Sequence, residues 1–315
     1  MTTSNQATER AHLNERPGFH IWWRLLRPHT LTASFIPVFI GTMLAVLDDS
    51  FKLLLFLAML LAAMLIQAGT NMFNEYYDFV RGLDNENSVG IGGTIVRDGI
   101  KPKTVKRLAI IFFILSMLLG VYICLLSSWW ICAIGLFCML IGYLYTGGPK
   151  PIAYSPFGEI VSGIIMGTIM IGISYFIQTG TITLEVVIIS IPIAIFIGAI
   201  LLSNNIRDLD GDKENGRKTI AILVGRKHAI SLLGISMTSS YMLTILFILL
   251  GLLPIWSLLA LISGIKAVKA IKLFRQNSTN VAMIPAMVTT AKTNTFYGLL
   301  IGLSLLLQVL WPITL

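Results

Sequence analysis

Nine stretches of the chain are apolar enough and long enough to be read as membrane spans: about 28–47, 53–74, 107–126, 129–146, 157–178, 184–203, 229–250, 252–271 and 294–312. A helix rising 1.5 Å per residue needs about 20 apolar residues to cross the hydrocarbon core. The fourth stretch is short, and only a turn near Gly251 and Pro254 separates the seventh from the eighth. Loops after the odd-numbered spans are brief, such as "DDSFK" and "QTGTIT", while those after the second and sixth are long and polar. The pattern predicts an all-α integral membrane protein: nine transmembrane helices around a central cavity, with the chemistry on one side.

Charge decides which side. The chain has 315 residues, 56% hydrophobic and only 12% charged, where soluble domains carry roughly 25% charged residues. Its formal net charge of +8 would fit a nucleic-acid partner, but the positions of the charges exclude that. With the N-terminus in the cytoplasm, 22 of the 23 Lys and Arg residues fall on the cytoplasmic side and only Lys52 lies opposite. That is the positive-inside bias of membrane topology. It predicts a multi-pass protein of the cytoplasmic membrane, its C-terminus outside and its working face inside. Residues 1–21 form a polar tail without a signal peptide's apolar core. Residues 22–315 read as one membrane domain of two four-helix groups plus a ninth helix. Cys124, Cys132 and Cys138 sit in apolar stretches without metal-ligand spacing, as buried small hydrophobes do.

The candidate chemistry lies where the second and sixth spans end. "NMFNEYYDFVRGLD" places Asn71, Asn74 and Asp78 at i, i+3 and i+7, one helical face, with Glu75 beside them. Gly82 then lets the chain turn back to bring Asp84 near. "SNNIRDLDGDKENGRKT" repeats the logic with Asn204, Asn205, Asp208 and Asp212. An even number of spans separates the two endings, so both emerge on the same side. Carboxylates at a helix C-terminus meet the negative end of the helix dipole and repel one another. A hard divalent cation reverses the sign of each of those terms, and Mg²⁺ is commonly held by carboxylates together with substrate phosphates. Facing clusters are therefore expected to hold two Mg²⁺ ions with a diphosphate between them.

Two phosphate-loop readings fail. In "GDKENGRKT", Gly211 and Gly216 have P-loop spacing, but Arg217 and Lys218 stand where Lys and Ser or Thr belong, and no strand precedes. "VGIGGT" lacks the dinucleotide spacing. A transporter would place its carboxylates near the midplane at broken helices, not at the cytoplasmic ends.

These two segments resemble the aspartate-rich motifs of the membrane-embedded aromatic prenyltransferases, the UbiA superfamily. Three further blocks, "RPHTLTASFIPVFIG", "VGIGGTIVRDG" and "YLYTGGPKPIAYSPFGE", resemble the branch of that family that prenylates 1,4-dihydroxy-2-naphthoate. The resemblance runs from about Trp22 to Leu310, with one departure: Glu75 stands where the first motif usually has Asp. It implies Mg²⁺-dependent transfer of a polyprenyl group from polyprenyl diphosphate to 1,4-dihydroxy-2-naphthoate, with loss of CO₂ and diphosphate, giving demethylmenaquinone. A sibling acceptor (4-hydroxybenzoate, haem or homogentisate) is the alternative. On this reading Asp78 and Asp84 serve one Mg²⁺ and Asp208 and Asp212 the other, with Asn74 and Glu75 as further ligands. Asn74, Asn205, Arg81, Lys150, Arg207 and Lys218 are the diphosphate-binding residues, the two asparagines as oxygen ligands or orienters of the ligands. Arg27 and Tyr145 hold the aromatic acceptor. The loops at about 82–105 and 207–228 are expected to close as lids, with Gly90–Gly93 shielded from protease when substrate binds.

Overall fold

The computed structural model describes residues 18–84 and 93–313, and among them every regular element is helical. A short amphipathic helix α1 (Phe19–Leu26) buries Ile21 and Leu25 and leaves Trp22 and Trp23 exposed, the pattern of a segment lying at a membrane interface. It turns sharply at Arg27, whose φ of 52° is left-handed, into α2 (Pro28–Leu47). Pro28 opens that helix where a missing N–H costs nothing. Then come α3 (Leu53–Val80), the short α4 (Thr94–Asp98), α5 (Pro102–Leu126), α6 (Trp130–Thr146) and α7 (Gly158–Thr179, with a π-helical stretch at Gly163–Ile169). The second half holds α8 (Leu184–Glu214), the short α9 (Ile220–Val224), α10 (Arg226–Leu249), α11 (Gly264–Gln276) and α12 (Asn280–Leu310).

Seven of these helices are long and apolar enough to span a bilayer. The fourth and eighth expected spans are the ones that fall short. α6 has 17 residues, and the eighth span is a nine-residue 3₁₀ stretch (Ile255–Ser263) running directly into α11. Tighter winding gains about 2.0 Å per residue, so this composite still covers the distance.

Helix ends differ from the hydropathy reading in one consistent way. α3 continues past residue 74 to Val80, α8 past 203 to Glu214, and α12 begins at Asn280 instead of 294. Hydropathy falls where the membrane stops, but backbone hydrogen bonding continues until something interrupts it. Here the interruptions are Gly82 and Gly216, both at positive φ, and the Thr279 cap, whose hydroxyl accepts from the Ala282 N–H. The expected 207–228 loop is therefore corrected: residues 207–214 are the last two turns of α8. Asp78, Asp208 and Asp212 stand on helical turns, not in flexible loops.

The main hydrophobic core lies in the second half, where α2, α8, α10 and α12 meet around Phe196, Tyr241 and Tyr297. α7 and α8 approach backbone to backbone. A Cβ added at Gly167 would lie 2.5 Å from Ala194 Cα, and one at Gly163 would lie 2.6 Å from the Ala194 carbonyl oxygen. Small residues in this spacing let membrane helices touch closely. Gly167→Ala should force the pair apart and cost about 1–3 kcal/mol, the usual range for overpacking. A lowered unfolding temperature in detergent is the measurement.

The first half is looser and wraps a cavity of about 330 Å³. It is lined by α2, α3, α5, α6, α7 and α8, with no lining residue from α10 to α12. On α3 it extends from Asn74 to Met59, a depth of about 22 Å at 1.5 Å per residue. Its walls are mostly apolar, with Ser34, Gln67 and Ser116 as polar positions along the shaft, and Arg27, Asn71, Asn74, Tyr145 and Asn204 gather at one end. Asn74 and Asn204 lie one turn below Asp78 and Asp208. The shaft opens directly beneath the two acidic endings.

Candidate active site

The first motif divides its labour. Asn71 donates its amide to the Leu26 carbonyl at 3.0 Å and to the Thr30 hydroxyl at 2.9 Å, tying α3 to the α1–α2 corner. Asn74 accepts from the Thr146 hydroxyl at 2.6 Å. Asp78 carries the acid at the rim. Its carbonyl accepts from the Leu83 and Asp84 N–H groups at 2.9 and 3.2 Å, so the chain wraps the end of α3 and returns Asp84 towards Asp78. Gly82, at φ 74°, makes that turn possible. Burial first, and then the neighbouring Asp78 charge, push the Asp84 carboxyl up to about 6.

Glu75 faces elsewhere. Its side chain is fully buried, accepts from the Thr94 hydroxyl and from the Ile95 N–H at 3.1 Å, and lies 3.9 Å from Arg27. In this structure it docks α4, whereas the sequence places it among the metal ligands. That docking also anchors the middle of the expected 82–105 lid. Of the Gly90–Gly93 segment, residues 90–92 lie outside the described residues. Glu75→Gln should weaken α4 docking by about 1–3 kcal/mol. It should leave the Mg²⁺ half-saturation of activity within about twofold, under 0.5 kcal/mol or so. A Mg²⁺ titration decides.

On α8, Asn205 donates to Glu159 at 2.9 Å. Asp208 takes a bidentate contact from Arg207 at 2.7 and 2.6 Å, while Arg207 also reaches the Met287 sulfur. Arg207 is thus occupied by its neighbour. Arg81, another expected diphosphate donor, gives its guanidinium to the Thr146 and Gly148 carbonyls. It fastens the "TGG" turn to α3. Lys150 and Lys218 are exposed and make no ion pair among the described residues. Tyr145 and Arg27 both line the cavity.

The two endings meet through a residue outside the expected set. Arg217 reaches Asp78 at 2.8 Å with one nitrogen and Asp212 at 3.0 Å with another, and its guanidinium lies 5.1 Å from the Tyr154 ring centre. Burial opposes its charge, but Asp78 and Asp212 outweigh that and hold its pKa above the ordinary value. The clue in the sequence was its place: Arg217 follows Asp212 directly after the Gly216 turn, aimed back at the helix end it has just left.

Among the described residues no three acidic, His or Cys side chains are gathered ready for a metal. The donor set nonetheless suits Mg²⁺. Asp78, Asp84, Asp208 and Asp212 offer hard oxygens, burial and the Asp78 charge raise Asp84, and a guanidinium stands in the bridging position between two of the four carboxylates.

An apolar shaft of this depth with carboxylates and arginines at its rim has the shape and charge of a membrane enzyme's substrate cavity. The chain belongs to the UbiA prenyltransferase family, which it matches over residues 34–284. Over 288 residues it is 55% identical to the 1,4-dihydroxy-2-naphthoate octaprenyltransferase of Bacillus subtilis, covering 91% of this chain and 93% of that one. The fold matches the apo structure of a UbiA homolog from Aeropyrum pernix K1 with a TM-score of 0.67 at 14% identity, covering 89% and 98% of the two chains. It also matches a UbiA homolog from Archaeoglobus fulgidus bound to GPP and Mg²⁺, with a TM-score of 0.57 at 17% identity over 89% and 99%.

Proposed function

We propose that this protein transfers a polyprenyl group from its diphosphate to 1,4-dihydroxy-2-naphthoate, with loss of CO₂ and diphosphate. The product is a demethylmenaquinone. The observation that carries the reading is the apolar shaft opening one turn below Asp78 and Asp208; the relative at 55% identity names the acceptor.

The chemical difficulty is breaking an allylic C–O bond while keeping water from the cation that develops. The shaft walls hold the prenyl chain and exclude water. Asp78, Asp84, Asp208 and Asp212, with Asn74 behind them, would hold two Mg²⁺ ions, whose positive charge supports the departing diphosphate. Arg217 is set to turn from the carboxylates to the diphosphate oxygens, where its planar fork gives bidentate donation. Lys150 and Lys218, exposed beside the rim, supply further donors. Arg27, at the cavity mouth, takes the acceptor carboxylate and sets the ring against the prenyl carbon, with Tyr145 as the facing wall. The Lys and Arg distribution supports a mouth facing the cytoplasm.

The test supplies the purified protein with 1,4-dihydroxy-2-naphthoate and prenyl diphosphates of several lengths and follows CO₂ release and prenylated product together. Both should appear in step, fall to background in EDTA and return with Mg²⁺. Turnover of 4-hydroxybenzoate with none of the naphthoate would shift the reading to a sibling enzyme. Turnover undiminished in EDTA would remove the metal.

A further inference from the structure

Glu159 is not part of the mechanism above, yet its placement is unusual. It stands in the first turn of α7, is 7% exposed, and does not line the cavity. One carboxylate oxygen accepts from the Asn205 amide at 2.9 Å, and the other has no hydrogen-bond partner among the described residues. A buried carboxyl half satisfied is a cost that an apolar side chain would avoid. Its backbone is held firmly: a Cβ at Gly198 would lie 3.0 Å from the Glu159 carbonyl oxygen, on the same α7–α8 seam that Gly163, Gly167 and Ala194 close. Side chains on a helix lean towards its N-terminus, so Asn205 reaches back along α8 to meet this fixed carboxyl.

An amide whose nitrogen is engaged by a carboxylate cannot turn over, because the flipped form would set its oxygen against the carboxylate. We propose that Glu159 is a positioning residue that locks the Asn205 amide and keeps its carbonyl oxygen available to the metal–diphosphate group held by Asp208 and Asp212. This rests on the reading of those aspartates as the metal site.

The test measures Mn²⁺ binding by electron paramagnetic resonance in the presence of inorganic pyrophosphate, on full-length protein in detergent. Glu159→Gln keeps an oxygen for Asn205 and should bind Mn²⁺ within about twofold of wild type. Glu159→Leu removes the acceptor, and Glu159→Asp withdraws it by one methylene while keeping the charge. Each should weaken Mn²⁺ binding about tenfold (about 1.4 kcal/mol). Adding Asn205→Ala to either should weaken binding no further than Asn205→Ala alone, since coupled residues are not additive. Should Glu159→Leu not yield monodisperse protein, Glu159→Asp decides. Wild-type affinity in Glu159→Asp, or losses that multiply with Asn205→Ala, would overturn the proposal. Undiminished Mn²⁺ binding in Asp212→Ala would instead remove the metal reading beneath it.

Discussion

Asp78→Ala and Asp212→Ala are each expected to lower kcat/KM for prenyl transfer by about 10³-fold or more, about 4 kcal/mol of transition-state stabilisation. The two residues sit on different helices 134 positions apart in sequence, yet both lie within 3.0 Å of one guanidinium. They therefore face a common space where negative charge on a leaving diphosphate must be met. Removing either one leaves the site a ligand short where the reaction generates charge, which is where an interaction counts most towards rate. Asp210 on α8 provides the control. It is 61% exposed and paired with Arg226, so Asp210→Ala should stay within about 1 kcal/mol of wild type, as exposed pairs do. Activity within tenfold of wild type in both Asp78→Ala and Asp212→Ala would end the mechanism proposed here.

Hydropathy made the membrane fold legible, because it acts over whole segments: apolar runs of about 20 residues survive any local detail. The acidic faces were legible too, since i, i+3 and i+7 spacing aligns side chains whether the helix lies in lipid or in water. Local competition for partners was not legible. Glu75 lies next in sequence to Asn74 and shares its charge with the rim, but helix geometry turns it about 100° away, towards Thr94 and Arg27. Arg81 and Arg207 carry the charge a diphosphate needs, yet carbonyls at the "TGG" turn and the adjacent Asp208 already engage them. Positive residues clustered at helix ends all look alike in a sequence. Only the return of the chain at Gly216 distinguishes Arg217, by placing it between two helix ends.

Arg217 should give the most diagnostic result because its two roles have opposite signs. Without diphosphate it neutralises Asp78 and Asp212 and so competes with a divalent cation for the same oxygens. Arg217→Gln removes the competitor, so Mg²⁺ alone should bind about tenfold more tightly, about 1.4 kcal/mol. With substrate present the same guanidinium donates to the diphosphate, and its loss should lower kcat by about 10²-fold, close to 3 kcal/mol. Arg217→Lys keeps the charge but not the fork, and should fall between wild type and Arg217→Gln on both measures. Calorimetric Mg²⁺ titration and single-turnover prenyl transfer read the two effects separately. A strut that merely joined two helices would predict looser Mg²⁺ binding in Arg217→Gln, since the aspartates would drift apart. The sign of the change in Mg²⁺ affinity therefore distinguishes a cation held in place until substrate arrives from a permanent crosslink between α3 and α8.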